Sequence, residues 1–557
     1  MVIILSWAKR KERLVKDYLD SFPFEKIRDQ QQQAIDFCID SFLNNDKRFC
    51  IIEAGTGVGK SAIGLTVSRY LSDKMQNTAG LFQPGAYFLT TQKILQEQYV
   101  KDFPTVISLK SSSNYKCGYH KNNSCADSQK LLKTEEKSSR FFKACSFNCV
   151  YKNQKQKFLE SSEGVTNFSY FLTETNFSGK ILPRQVLVID EGHNIESELS
   201  KFVEISVSEY FAKNVLKLRF PQKQTHYQMF LWIKDVYLPS ASRRLKHYEN
   251  TIENLGGDKM REKLSQFKDL TRNYDMLRSH IGKIKKFITL HSTDNWVFET
   301  SETEKRGYKK ATFKPIDVSV YAEDSLFHMG EKVIIMSATI MNYDIFKRTL
   351  GIDDSNSCFI SLPSPFPKEN RPIIKSGVGS MSHRAINTSL PKLKIAVQEI
   401  MKEHSNEKGI IHCHTYKIAR YLKYNIKNRD LASRILIHNS SNRDEILRKH
   451  INSKKATVLL SPSMSEGVDL KDDSSRFQII CKVPYPFLGD KLIRKRMNNI
   501  PGWYDLQTAK LIVQAAGRSI RSDTDHAVTY ILDSDFERFF SKSSKLFSSD
   551  FKSCIMG

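Results

Sequence analysis

The sequence predicts an α/β protein built on parallel sheets, and three observations carry that prediction. Short β-branched runs recur along the chain, each followed by a turn and then a helical pattern. A glycine-rich turn ending in Lys-Ser stands directly behind the first of them. With 557 residues the chain is too long for a single core, so more than one sheet is expected.

The runs, in order, are FCIIEA (Phe49 to Ala54), AYFLTT (Ala86 to Thr91), VLVID (Val186 to Asp190), VIIMSAT (Val333 to Thr339), GIIHCHT (Gly409 to Thr415), TVLLSPS (Thr457 to Ser463) and QIICKVP (Gln478 to Pro484). Their near-continuous apolar character is how strands covered by helices on both faces read. Two stretches break the rhythm. Residues 105–160 carry four clustered cysteines among Lys, Asn and Ser; residues 207–311 show long charged helical patterns divided by Gly256-Gly257. Loops at strand ends tolerate added domains, so both are expected to be insertions into a sheet scaffold.

Lys plus Arg number 86 against 61 Asp plus Glu, a net +25 spread over the chain. Such a balance points to a polyanionic partner, nucleic acid before membrane surface, against the alternative of a lysine-rich solubilising surface. The apolar run Val2 to Leu5 is too short for a signal-peptide core, and no window approaches a membrane span. A soluble intracellular protein of the cytoplasm and nucleoid, or of the nucleus, is expected, with no membrane partner. Of ten cysteines, Cys38, Cys50, Cys358, Cys413, Cys481 and Cys554 are scattered, most in apolar contexts that suit small core residues.

IIEAGTGVGKSAIGL reads as strand, glycine-rich turn and helix start, with Ala54, Gly55, Thr56, Gly57, Val58, Gly59, Lys60 and Ser61 in a Walker A pattern. Glycines let backbone N–H groups turn inward around phosphates, and the helix start adds its positive end. Lys60 is placed to meet the β- and γ-phosphates and Ser61 to hold Mg²⁺. VLVIDEGHN then ends a buried strand in adjacent acids: Asp190 for the Mg²⁺, Glu191 for the attacking water. His193 is open between an interdomain contact and a satisfied polar residue. In QAAGRSIRS, the spacing of Gln514, Arg518 and Arg521 predicts one helical face, from which arginines reach a triphosphate on another domain.

Together these motifs resemble a superfamily 2 DNA helicase of the Rad3/XPD and DinG-like iron-sulfur family. RDQQ (Arg28 to Gln31) resembles its adenine-reading Q motif, with Gln31 or its neighbour Gln30 as reader. LTTQKILQEQY (Leu89 to Tyr99) resembles motif Ia, DEGH (Asp190 to His193) the Walker B box, MSAT (Met336 to Thr339) motif III, and SPFP (Ser364 to Pro367) the signature before the second motor domain. SMSEGVDL (Ser463 to Leu470) resembles motif V through Glu466, Gly467 and Asp469, and QAAGRSIR (Gln514 to Arg521) motif VI; GIIHCHTY departs from motif IV in its histidines.

The resemblance implies two RecA-like parallel-sheet motor domains, the first carrying an iron-sulfur insertion and a helical arch. The expected division is motor domain 1 over 1–104, the cluster insertion over 105–160, motor domain 1 again over 161–206, the arch over 207–311, the end of motor domain 1 and a linker over 312–375, and motor domain 2 over 376–557. Gln31, the phosphate loop, Asp190, Glu191, Gly467, Asp469, Arg518 and Arg521 would bind ATP; Thr91, Gln92, Tyr151, Lys152, Asn167 and Tyr170 would meet DNA.

By chemistry alone Cys117, Cys125, Cys145 and Cys149 suit zinc or an iron-sulfur cluster, since both take four thiolates. Their polar neighbours His120, Lys121, Asn122, Asn123 and Ser124 do not suit a core. The resemblance implies a [4Fe-4S] cluster, with NYKC (Asn114 to Cys117) and CVY (Cys149 to Tyr151) matching the family around its ligands; the C-x₃-C spacing of the last pair departs from it. The whole implies a monomeric ATP-dependent DNA helicase, moving 5′-3′ on single-stranded DNA, unwinding fork or duplex DNA, in DNA repair or related DNA metabolism. Two other readings are a DNA-binding scaffold subunit or translocase with little unwinding, and an RNA-directed ATPase.

Overall fold

A computed structural model describes residues 18–55, 57–75, 80–131, 136, 138–177, 180–254, 264–302, 307–439, 441–462, 470, 472–517, 519–520 and 525–556. The first sheet takes β1 (Phe49–Ala54), β2 (Gln83–Thr90), β3 (Ile107–Leu109), β4 (Glu163–Asn167) and β5 (Arg184–Ile189). Three strands follow that do not join it: β6 (Ile205–Ser208), β7 (Trp296–Glu302) and β8 (Lys309–Pro315). Strands β9 (Gly330–Ser337) and β10 (Ser357–Leu362) complete the first sheet in the order β10-β1-β9-β5-β2-β4-β3. Every pairing in it is parallel.

The second sheet is built of β11 (Ile373–Gly379), β12 (Gly409–His412), β13 (Ile435–Ile437), β14 (Val458–Ser461), β15 (Phe477–Ile480), β16 (Val528–Asp533) and β17 (Ile555–Met556). Its order is β13-β14-β12-β15-β16-β11-β17, again parallel throughout. All seven apolar runs of the sequence are therefore strands of one sheet or the other. The reason is visible in β1: Cys50, Ile52 and Ala54 enter the core on one face, Phe49 and Ile51 the core on the other. Both faces are covered, so no alternation survives in the sequence, and burying each isoleucine contributes about 1.5–3 kcal/mol.

The helices that matter below are α1 (Asp29–Leu43), α2 (Lys60–Lys74), α3 (Lys93–Asp102), α4 (Cys125–Leu131), α5 (Arg140–Phe147), α6 (Val150–Glu160), α7 (Leu238–Asn254), α8 (Leu264–Leu290) and α9 (Trp503–Ala516). The cysteine-bearing excursion leaves the sheet after β3 and returns at β4, starting later than residue 105 because β3 pairs with β4 at the sheet edge. The helical excursion springs from the antiparallel sheet β6-β8-β7 and has its own core around Ile233, Tyr237, Ile284 and Phe313. β11 already belongs to the second sheet, so the change of domain falls between Leu362 and Ile373, ahead of the expected boundary at 375.

Arg184 roots the cysteine-bearing excursion in the sheet. Fully buried on β5, it stacks its guanidinium 4.1 Å from the Tyr87 ring centroid and donates to the carbonyls of Ala86 (2.9 Å), Phe158 (3.1 Å) and Ser161 (2.5 Å). The two excursions also share a small core: Leu131, Phe141 and Cys145 from one pack with Ile252, Leu270 and Tyr274 from the other. No helix among the described residues is long and apolar enough to cross a membrane.

Candidate functional site

The chain leaves β1 at Ala54 and turns through Gly55 to α2, which opens at Lys60. Gly57 and Gly59 hold φ of 86° and 85°, a region glycine enters without penalty. Each also lies where a side chain would collide, Gly57 against the Phe366 ring of the SPFP segment and Gly59 against the Gln31 amide nitrogen. Gln31 is buried in the first turn of α1 and accepts a hydrogen bond from the Arg28 N–H (3.0 Å) through its Oε1, while the Arg28 guanidinium donates to the Gly57 carbonyl. This fixes the register of the glutamine run: Gln31 faces the loop and Gln30 is half-buried. Val58 is fully buried, and Lys60 Nζ donates to the Ala54 carbonyl (3.1 Å) across the mouth of the loop. Thr56 lies outside the described residues.

Asp190 stands at the end of β5 with its own N–H on the Leu89 carbonyl (2.9 Å). Its Oδ1 accepts from the Glu191 N–H (2.9 Å) and its Oδ2 from the Tyr99 hydroxyl (3.3 Å). Burial, then the Glu191 charge, pushes its carboxyl up to about 6, with Lys60 opposing. Two adjacent acids in a buried setting resist double ionisation unless a cation meets them. Glu191 adopts φ 54°, a costly conformation for a residue with a side chain. Tyr99, from α3, is fully buried against Asp190, and burial followed by the Asp190 charge pushes its hydroxyl well above its usual range. Sequence reading missed Tyr99; the only signal was the three-residue spacing of Gln96 and Tyr99, which puts both on the buried face of α3.

His193 proves to be an interdomain contact. Its Nδ1 lies 2.8 Å from Ser337 Oγ and 3.3 Å from the Glu191 carboxylate, and its Nε2 lies 2.9 Å from the side-chain amide of Gln514 on α9. The same amide nitrogen is 3.3 Å from Thr339 Oγ1. One chain of contacts thus runs from the acidic box through the MSAT strand to the second sheet domain. A neighbouring contact reinforces it: Glu196 accepts from Trp503 Nε1 (3.0 Å) and pairs with buried Arg496 (2.9 Å). Helix α9 carries Gln514 and ends at Ala516, with Gly517 as its cap, so the helical face expected for Gln514, Arg518 and Arg521 reaches beyond the described residues. Arg518, Arg521, Gly467 and Asp469 lie outside the described residues.

Of the residues expected to meet DNA, Thr91, Gln92 and Asn167 come together. Thr90 and Asn167 are register partners on β2 and β4, which places all three at the carboxyl ends of neighbouring strands. Asn167 Oδ1 accepts from the Tyr170 N–H (2.9 Å). Tyr151 is buried, its hydroxyl 2.8 Å from that of Tyr170, so its ring packs within the domain; Lys152 beside it is exposed.

The four clustered cysteines line one cavity of about 260 Å³, together with Tyr119, Ser128, Phe141 and Asn148. Two turns build it. Cys117 N–H donates to the Asn123 carbonyl (3.0 Å) and Cys125 N–H to that of Tyr115 (2.7 Å), folding the first pair together. Cys145 sits in the last turn of α5 and Cys149 caps α6, so the C-x₃-C spacing spans a helix–turn–helix corner. Cys125 Sγ and Cys149 Sγ are 3.4 Å apart. Burial and neighbouring thiols push Cys125 up to about 12; burial, opposed by the Lys152 charge, leaves Cys145 at about 11. Burial raises Cys117 too, but the nearby Ser128 and the His120 N–H, which donates to its Sγ (3.3 Å), outweigh it and bring that thiol below its usual range. Among the described residues no three His, Cys, Asp or Glu side chains are arranged to hold a metal ion. A single tetrahedral ion needs every sulfur about 2.3 Å from one point. Four thiols lining one cavity are a donor set that either zinc or an iron-sulfur cluster can use.

Comparison with known proteins agrees with this layout. A helicase C-terminal domain family matches residues 397–553, and the family of the Type III restriction enzyme res subunit matches residues 24–220. A probable ATP-dependent helicase of Methanocaldococcus jannaschii is 21% identical over 94% of each chain. The ATP-dependent DNA helicase YoaA of Escherichia coli is 22% identical, covering 87% of this chain and 88% of its own. A solved XPD helicase superposes with a TM-score of 0.60 at 18% identity, covering 96% of this chain and 100% of that one, which shows a common fold.

Proposed function

We propose that the chain is an ATP-dependent DNA helicase of the Rad3/XPD-like group of superfamily 2, and that it moves 5′-3′ along single-stranded DNA and unwinds duplex ahead of it. The observation that carries the motor reading is the His193 contact, which ties the acidic box to α9 of the second sheet domain. A site shared by two domains makes nucleotide turnover a change in their relative position.

In the proposed cycle ATP lies in the phosphate loop with its adenine at Gln31. Lys60 leaves the Ala54 carbonyl for the β- and γ-phosphates. Ser61 and Asp190 would hold Mg²⁺, which would neutralise phosphate charge; Tyr99 orients the Asp190 carboxylate. Glu191 orients the attacking water and takes its proton. Arg518 and Arg521 approach from the second domain, and Gln514 reports closure to His193. The strand crosses the carboxyl ends of β2 and β4 at Thr91, Gln92 and Asn167, with Lys152 near its path.

Cys117, Cys125, Cys145 and Cys149 would hold a [4Fe-4S] cluster, whose part is structural, bracing the excursion as a wedge. The shared core of Phe141 and Ile252 supports an arch leaning on that wedge, with the strand passing between. The test is paired assays on 5′-tailed and 3′-tailed duplexes with iron and zinc analysis of anaerobically purified protein. Unwinding only from the 5′ tail, with four irons per chain, is expected. Preference for the 3′ tail overturns the direction, and a zinc-loaded preparation overturns the cluster.

A further inference from the structure

A second group of thiols lies in the first motor domain, apart from the four-cysteine cavity. Cys38 on α1 and Cys50 on β1 are fully buried with their sulfurs 3.1 Å apart. Cys358 on β10 is the register partner of Cys50 on the adjacent parallel strand. In-register neighbours point their side chains to the same face, and strands about 4.8 Å apart fall within the Cα separation a disulfide spans. Strand β10 is the edge of the sheet, and there Cys358 is only partly buried, whereas Cys50 and Cys38 are fully buried. The three sulfurs thus form a path from the surface inward: Cys358, Cys50, Cys38.

The environments differ along that path. The neighbouring Cys50 thiol, opposed by burial and aided by Ser41 and the Lys47 charge, holds Cys358 below the usual thiol range, while its Sγ lies 3.4 Å from the Phe49 carbonyl. Burial, then the neighbouring Cys358 and Cys38 thiols, pushes Cys50 well above it. The outermost thiol is the readily ionised one, which is the arrangement an oxidant meets in redox-responsive pairs. Small core cysteines need no such gradient.

We propose that Cys358, Cys50 and Cys38 form a peroxide-responsive thiol relay. The Cys358 thiolate attacks one oxygen of hydrogen peroxide; the O–O bond breaks, and the departing hydroxide takes a proton to leave as water. Cys358 is then a sulfenic acid. Cys50 attacks that sulfur, its proton going to the leaving hydroxyl, so a second water departs and a Cys50–Cys358 disulfide forms. Two thiols have lost two electrons and one peroxide has become two waters. Cys38 next attacks Cys50, giving its proton to the released Cys358, and the disulfide moves to Cys38–Cys50.

That final bond staples α1 to β1. Helix α1 sets Gln31 against Gly59, and β1 runs into Ala54, so the staple joins two walls of the phosphate loop. Slower nucleotide turnover is the expected consequence, and this clause alone rests on the proposed motor function.

The full-length protein is treated with hydrogen peroxide, denatured in alkylating agent, digested and mapped by mass spectrometry with and without dithiothreitol. Cys50 joined to Cys358 or to Cys38, and freed by the reductant, is the expected result. Cys358→Ser loses both linkages, with its untreated ATPase within about twofold of the parent; Cys38→Ser keeps only Cys50–Cys358. Cys50 recovered fully alkylated from oxidised protein overturns the relay, as does an undiminished Cys38–Cys50 linkage in Cys358→Ser. Peroxide inactivation without either linked peptide also overturns it, and assigns the damage to the four-cysteine cavity. Peptide mapping reads bonds, so it stands whether or not the protein unwinds DNA.

Discussion

At the nucleotide cleft, polar side chains from two sheets find one another: Asp190 takes the Tyr99 hydroxyl, His193 takes Ser337 and Gln514, and Gln514 reaches Thr339. At the cysteine cavity, four thiols surround about 260 Å³, with Cys125 and Cys149 3.4 Å apart. The cleft is a set of contacts between domains; the cavity is a space held open by one excursion, rooted through Arg184 and leaning on α7 and α8. Damage to the first should therefore stop the motor, whereas damage to the second should leave a motor that no longer separates strands.

The largest expected effect tests the cleft side. Lys60→Ala should lower DNA-stimulated ATP turnover by about 10²–10³, since a charge aimed at the transferring phosphoryl group is lost. Unwinding should fall equally when both are measured on the same tailed duplex. Retained unwinding would erase the distinction between the two regions.

Next is Cys149→Ser. Unwinding should fall by at least about tenfold, while ATP turnover on single-stranded DNA stays within about threefold. Equal losses in both assays would make the cavity part of the motor rather than an attachment to it.

Some of this contrast was legible in the sequence. The phosphate loop and the acidic box need contiguous residues at a strand end, so Ala54 to Ser61 and Asp190-Glu191 could be read directly. The four cysteines could be grouped because they crowd one segment. What crosses between elements could not be read. His193 and Gln514 are 321 residues apart, and a parallel sheet brings together strands that are remote in the chain. For the same reason Cys50 and Cys358 looked scattered, although β1 and β10 are adjacent. Of the helical face assigned to Gln514, Arg518 and Arg521, only Gln514 lies among the described residues, on α9. Tyr151 was read by its aromatic ring as a base contact, but ring chemistry serves packing equally well, and here burial decides for packing.

Gln514→Ala should produce a smaller and more specific loss. It removes one partner of His193 and the link to Thr339, leaving the phosphate loop untouched. A fall of about tenfold in DNA-stimulated turnover is expected, corresponding to about 1.4 kcal/mol of transition-state stabilisation. Turnover without DNA should change by less than the stimulated rate. If both fall together, the contact is merely structural and the cleft does not sense domain closure.

The smallest effect belongs to the arch, and it separates the excursions from the sheets by pH. His226 and His291 face each other with their Nε2 atoms 3.0 Å apart, and His291 stacks on Phe230 with ring centroids 3.7 Å apart. Burial lowers His226; burial and then the His226 charge hold His291 at about 4. Both are bases whose folded pKa lies below the unfolded value of about 6.5, so the unfolded chain takes up protons first as pH falls. Their stabilisation is fully present above about pH 6.5 and is lost as pH drops toward 4. Hydrogen exchange, corrected for its intrinsic pH dependence, should therefore quicken in α8 between pH 7 and 5 while β9 shows no such acceleration. His291→Phe should reduce that difference to the share contributed by His226, because an apolar ring keeps the stack on Phe230 and has no proton to gain. Acceleration spread evenly over both sheets would mean that the arch and the motor unfold as one unit, and the independence inferred for the excursions would fail.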